Sequence, residues 1–176
     1  VAIDREKLLQ SAQKFVEKKR YDKAVLDYQK ILAAEPNDAR ILLKLGDLQA
    51  KMEAHEAAIT TYEKVGKQYA QQGFALKAVA VYKQIRDIIA RHAPHLEERY
   101  AHILPQLVDL YRQLGLLSDA VGTLEEVAAR HQQAGRDRDA VAVYRQIVEF
   151  DGQNPLPHLK LAEALARIKE LDGAVA

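Results

Sequence analysis

The sequence contains no cysteine and no tryptophan, and only one methionine. Without cysteine there are no disulfides and no thiolate metal sites, and a reducing, cytoplasmic location is the expectation. Charge of one sign is also lacking: 26 Lys and Arg stand against 25 Asp and Glu. A net charge of +1 gives no field of the size that a polyanion needs, so nucleic acid is not expected as a partner. No apolar run approaches the roughly 20 residues of a membrane span, so no membrane insertion is expected, and no secretory leader is visible. Proline (5) and glycine (8) are scarce, and no β-branched run is bounded by turn signals. The residues that remain are mostly Ala, Leu, Glu, Gln, Lys and Arg, all good helix formers. The fold class predicted is all-α. No Ser, His and Asp arrangement, Gly-rich phosphate loop or HExxH motif is present, so the chain is read as no enzyme, with no cofactor.

What the sequence does have is an internal repeat. Ala78-Val-Ala-Val-Tyr-Lys-Gln-Ile85 returns as Ala140-Val-Ala-Val-Tyr-Arg-Gln-Ile147, 62 residues on. Residues 42–88 overlay residues 104–150 without a gap, with about a third of positions identical. Matches include Leu45/Leu107, Asp47/Asp109, Ala58/Ala120, Val65/Val127 and Gly73/Gly135. A 62-residue unit has been duplicated. Function is therefore to be sought on surfaces.

Taken in order, Asp4 caps a first helix carrying Leu8, Leu9, Ala12, Phe15 and Val16 at helical spacing. Lys18-Lys19-Arg20 is a solvated turn, and a second helix runs from Tyr21 to about Ala34. Pro36 stops it, Asn37-Asp38 caps the next, and that helix passes through Leu42, Leu45 and Leu48.

These residues resemble the tetratricopeptide repeat (TPR) family. The pattern is carried by Leu8, Ala12, Phe15, Arg20-Tyr21, Ala24, Tyr28, Ile31 and Pro36, then by Leu42, Leu45, Gly46, Ala58, Tyr62 and Val65. Small residues let helix backbones approach, and large ones fill the space left on the neighbouring helix. The second copy departs at Gln49, where the family usually has an aromatic or Leu. A larger departure follows: the second-helix motif recurs after only 20 residues, so one helix serves two hairpins. The resemblance implies a right-handed α-solenoid of TPR-like hairpins with about nine full helices and the start of a tenth at Asp172-Gly173-Ala174. Its expected parts are a repeat at 5–38, three-helix units at 39–91 and 94–150, and a truncated repeat at 155–176. Such an ending leaves the apolar face of the last helix bare, as in a fragment of a longer array.

The resemblance implies a protein-binding scaffold of bacterial type, set in a motility, polarity or pilus machinery, with a small GTPase as one candidate partner. A self-associating spacer within a longer repeat protein is the alternative. The first helices of such hairpins line a groove, where Arg40, Lys44, Asp47, Lys51, Asp109, Arg112, Lys160 and Arg167 are the candidates for binding an acidic segment. The chaperone-tail clamp known in the family is not expected, because Leu9, Gln13, Lys44, His102 and Gln106 do not match its Lys, Asn and Arg set.

A second candidate surface lies where the spacing between units carries eight surplus residues around Pro94, about two helical turns. Lengthened helices are expected to project a tip bearing Arg91, His92, His95, Arg99 and Tyr100. His92, His95 and Glu98 have metal-like spacing, but Pro94 breaks the helical register and no metal is assigned. Tyr28, Tyr62, Tyr82 and Tyr144 sit at motif positions and are read as core. Tyr69, Tyr100 and Tyr111 are read as candidates for exposed contacts.

Overall fold

The computed structural model describes residues 4–174, with side chains through Lys169. The described residues form nine α-helices: α1 (Arg5–Glu17), α2 (Tyr21–Ala34), α3 (Ala39–Lys51), α4 (His55–Gln71), α5 (Ala75–His92), α6 (Ile103–Gln113), α7 (Leu117–Gln133), α8 (Asp137–Phe150) and α9 (Pro155–Ala174). A 3-10 turn at Pro94–Leu96 follows α5. The chain divides into two compact units, Val1–Ala101 and His102–Ala176. The start of a tenth helix expected at Asp172 does not occur, because α9 continues without a break through Ala174.

Five of the turns are built alike. After α1, the Lys19 amide donates to the Val16 carbonyl and the Arg20 amide to the Phe15 carbonyl, at 2.9 and 2.8 Å. The same two bonds recur after α3, α4, α6 and α7. This is the Schellman closure, and it needs one residue in the left-handed region. That residue is Lys19 (φ 54), Glu53 (φ 59), Gly73 (φ 77), Gly115 (φ 70) or Gly135 (φ 70). The residue after it starts the next helix, so each turn joins neighbouring helices with no slack.

The junctions before α3 and α9 use side-chain caps. Asp38 accepts from the Arg40 and Ile41 amides at 2.9 and 3.2 Å, which fixes the start of α3. Arg5 reaches the same carboxylate at 2.6 Å and Glu35 at 3.1 Å, tying α1 to the α2–α3 turn. Burial alone would raise the Asp38 carboxyl, but hydrogen bonds from Arg5 and the two amides hold it below the usual carboxylate range. Asn154 caps α9 at the Leu156 amide, with Pro155 in the first turn.

Packing follows the small-and-large rule. Ala12, Ala24, Ala58, Ala78, Ala120, Ala128 and Ala140 are completely buried. Tyr62 and Tyr82 fill the spaces left by Gly46 and Gly66. A Cβ on Gly46 would stand 2.6 Å from Tyr62 Cε1, and one on Gly66 would stand 2.7 Å from Tyr82 Cε1. Burial, with a further contribution from the Glu63 carboxylate, pushes the Tyr82 phenol up to about 12.

The surplus around Pro94 does not project. Helix α5 has 18 residues against 14 in its counterpart α8, but α6 has only 11. The remaining residues fold back onto α4. Ala93, Leu96 and Tyr100 are buried, and the Tyr100 hydroxyl lies 3.1 Å from Thr60 Oγ1. Arg99 pairs with Glu56, and the His92 ring stacks on His55 with centroids 4.8 Å apart. The expectation that Tyr100 is exposed is thus corrected, since Thr60, Glu56 and His55 of α4 hold the segment down. Tyr111 is also buried, at 2% exposure, so its reading as an exposed contact is corrected too. It stands opposite Gln49 in the overlay, at a position facing the core.

Candidate protein-docking surfaces

In the first unit, Arg40, Lys44, Asp47 and Lys51 lie along the exposed face of α3. Lys51 sits over the Tyr21 ring at 5.9 Å. Asp47 is engaged from below: the Tyr62 hydroxyl donates to it at 2.5 Å, and Gln84 Nε2 donates to the same hydroxyl at 2.8 Å. This Gln84–Tyr62–Asp47 relay joins α5, α4 and α3. Burial, and then the neighbouring Asp47, keep the Tyr62 phenol neutral well above its ordinary range. Arg40 and Lys44 have no partner among the described residues, so the outer face of α3 offers two cations to solvent.

In the second unit, α6, α7 and α8 enclose an open pocket of about 560 Å³. Val108, Leu124, Val127 and Val143 supply its apolar lining, and Asp109, Arg112, His131, Gln146 and Glu149 its polar part. Arg112 is held over the Phe150 ring at 5.1 Å. His131 Nδ1 is buried without a hydrogen bond, and Asp139 stands 3.9 Å away. The structure therefore brings Asp109 and Arg112 into one pocket. The other two groove candidates of this unit are already paired. Lys160 meets Glu125 of α7 at 2.6 Å, and that hydrogen bond raises its ammonium above the ordinary lysine value. Arg167 meets Asp137 of α8 at 3.3 Å.

Of the residues expected at the tip, Arg91 pairs with Asp87 along α5 at 2.7 Å. His92 is stacked on His55, and Arg99 is paired with Glu56 and lies over Tyr100. His95 lines a shallow depression with His55, Thr60, Thr61 and Leu96. Among the described residues no group of three or more His, Cys, Asp or Glu converges as a metal site. No helix among them is long and apolar enough to cross a membrane. Along α9, Leu159, Ala162 and Leu165 are exposed at three-residue spacing.

Sequence reading missed Gln146, His131, Val143 and Phe150 as pocket residues. The signal available was the overlay of the two copies, which sets Leu124 against Tyr62 and Val108 against Gly46.

Helix type, turn type and small-against-large packing define an all-α protein of helical repeats. Residues 15–80 match the tetratricopeptide repeat family model, and the helical hairpins of that segment are of tetratricopeptide type. The crystal structure of a Podosopora anserina putative kinesin light chain with nearly identical TPR-like repeats is similar, at 16% identity and a TM-score of 0.51, over 92% of this chain and 93% of that one. A crystal structure of MamA aligns at 19% identity with a TM-score of 0.41, over 98% of this chain and 99% of that one. No curated protein sequence matches the chain.

Proposed function

We propose that this chain is a protein-binding module that acts in the cytoplasm without chemistry of its own. Tetratricopeptide folds generally mediate protein–protein interaction, and the α6–α8 pocket carries the reading here. It is open, has an apolar floor, and has charged groups of both signs at its rim. One anchor side chain of a partner fits such a pocket, while Arg40 and Lys44 on α3 attract an acidic stretch of a partner. The chemistry is recognition alone.

Affinity capture from native lysate tests this with three baits: wild type, Arg40→Glu/Lys44→Glu, and Asp109→Lys/Arg112→Glu. The expected result is a protein retained by wild type and lost with the pocket double change. Retention by all three baits would overturn the placement on these surfaces. The identity of the captured protein also tests the motility, polarity or pilus setting and the small-GTPase partner that the family resemblance implies.

A second reading is favoured by one observation. Leu156, Leu159 and Leu165 on α9 are 51%, 55% and 41% exposed, an apolar strip suited to self-association. Sedimentation should then show mass rising with concentration for wild type but not for Leu159→Lys/Leu165→Lys. A monomer throughout would remove this reading.

A further inference from the structure

The two copies of the repeat differ at one packing point, and the difference leaves a hydrogen-bonding pair without its partner. In the first copy Asp47 and Gln84 are bridged by the Tyr62 phenol, which donates to one at 2.5 Å and accepts from the other at 2.8 Å. The gapless overlay carries these positions to Asp109, Gln146 and Leu124. Asp109 and Gln146 are retained, but the tyrosine between them is gone. Gly46, which makes room for the Tyr62 ring, is replaced by Val108. Val108 and Leu124 together fill the inner part of the space and are 6% and 5% exposed. Neither carries an atom that can bridge a carboxylate to an amide. Asp109 and Gln146 have no partner among the described residues, and both line the 560 Å³ pocket. The pocket lies where the phenol end of the first copy would be.

We propose that the α6–α8 pocket receives a tyrosine side chain from a partner protein. Its ring lies on Val108, Leu124 and Val143, and its hydroxyl donates to Asp109 and accepts from Gln146. The first copy supplies the template, since the same Asp and Gln hold a phenol there in the same sense. An unhydroxylated ring would leave both polar groups without the bridge, so the hydroxyl is the specificity element. Arg112, held over Phe150, adds a polar contact at the rim for the backbone that carries the tyrosine. This inference rests on the protein-binding reading above and names its anchor.

The test uses the purified chain and free probes, so that it does not depend on capturing a partner. Amide resonances of the ¹⁵N-labelled chain are followed on titration with N-acetyl-tyrosinamide and, separately, N-acetyl-phenylalaninamide. The expected result is a saturable shift of amides in α6–α8 by the tyrosine probe, with at least about ten-fold weaker binding of the phenylalanine probe. Val108→Gly/Leu124→Tyr rebuilds the first copy's arrangement, fills the site from within and should abolish the shift. If that variant does not fold, Asp109→Ala and Gln146→Ala change exposed side chains and should each weaken the tyrosine probe toward the phenylalanine level. Equal binding of the two probes, binding that survives both alanine changes, or no saturable shift would each overturn the proposal. None of these outcomes would affect a partner lost on capture with the Asp109→Lys/Arg112→Glu bait, so the two readings fail separately.

Discussion

Exchanging Gly46 and Tyr62 for the residues of the second copy should show strong energetic coupling. Gly46→Val alone drives a branched side chain into a ring that stands 2.6 Å from the nearest added carbon. The ring is completely buried and held by two hydrogen bonds, so it cannot step aside. Overpacking of this kind costs about 1–3 kcal/mol, reduced by a few tenths for removing a glycine from a helix. Tyr62→Leu alone leaves a cavity beside Gly46 and breaks the relay between Gln84 and Asp47, costing about 2–4 kcal/mol. If the sites were independent, the double change would cost the sum. The second copy packs with Val108 and Leu124, both buried, so the pair of changes compensates in volume. The double variant should keep only the loss of the relay, giving a coupling of about 2 kcal/mol in its favour. Urea unfolding followed by circular dichroism at 222 nm, with all four corners of the cycle, measures it. Additivity within about 0.5 kcal/mol would refute the account of how the two copies pack.

Further outcomes follow from the turns, the cap and the buried phenols. Glu53→Gly should stabilise the chain by about 1 kcal/mol, because Glu53 holds the left-handed conformation (φ 59) that Gly115 takes in the second copy; thermal melts compare the two chains. Gly115→Ala should cost a similar amount, about 1 kcal/mol, in the same assay. Asp38→Ala removes a cap and a partner of Arg5, and should cost about 1–2 kcal/mol in urea unfolding. Because folding lowers the Asp38 carboxyl, its contribution is present above the unfolded value near pH 4 and is lost as pH falls through the folded value. The difference between wild type and Asp38→Ala should therefore shrink in acid. Burial raises the phenols of Tyr62 and Tyr82, the latter to about 12. Their neutral forms stabilise the fold below the unfolded value near pH 10, and stability should fall as pH rises beyond it. Tyr82→Phe should flatten that fall in melting temperature.

Much of the fold was legible because the forces that set it are local and periodic. Apolar spacing located the helices, and Asp4 and Asp38 announced caps that the structure contains. Lys19 and Glu53 make left-handed turns without glycine, so only their place between helices pointed to them. Tyr111 could have been placed in the core, since the overlay sets it on Gln49, where the family carries an aromatic or Leu. Tyr100 could not, because its burial depends on Arg99 and Tyr100 reaching Glu56 and Thr60, some 40 positions earlier. The pocket was hidden for a related reason. The sequence shows Leu124 in place of Tyr62, but not that the lost phenol bridged two residues that the second copy still has. Lys160 and Arg167 look like groove cations in the sequence, while the structure spends them on Glu125 and Asp137.

The most direct test of the central claim compares the wild-type chain with Val108→Gly/Leu124→Tyr as baits in the same lysate, after both are shown to melt alike. The account predicts a protein held by the wild type and released when the α6–α8 pocket is filled from within. The same proteins retained in the same amounts by both baits would contradict it.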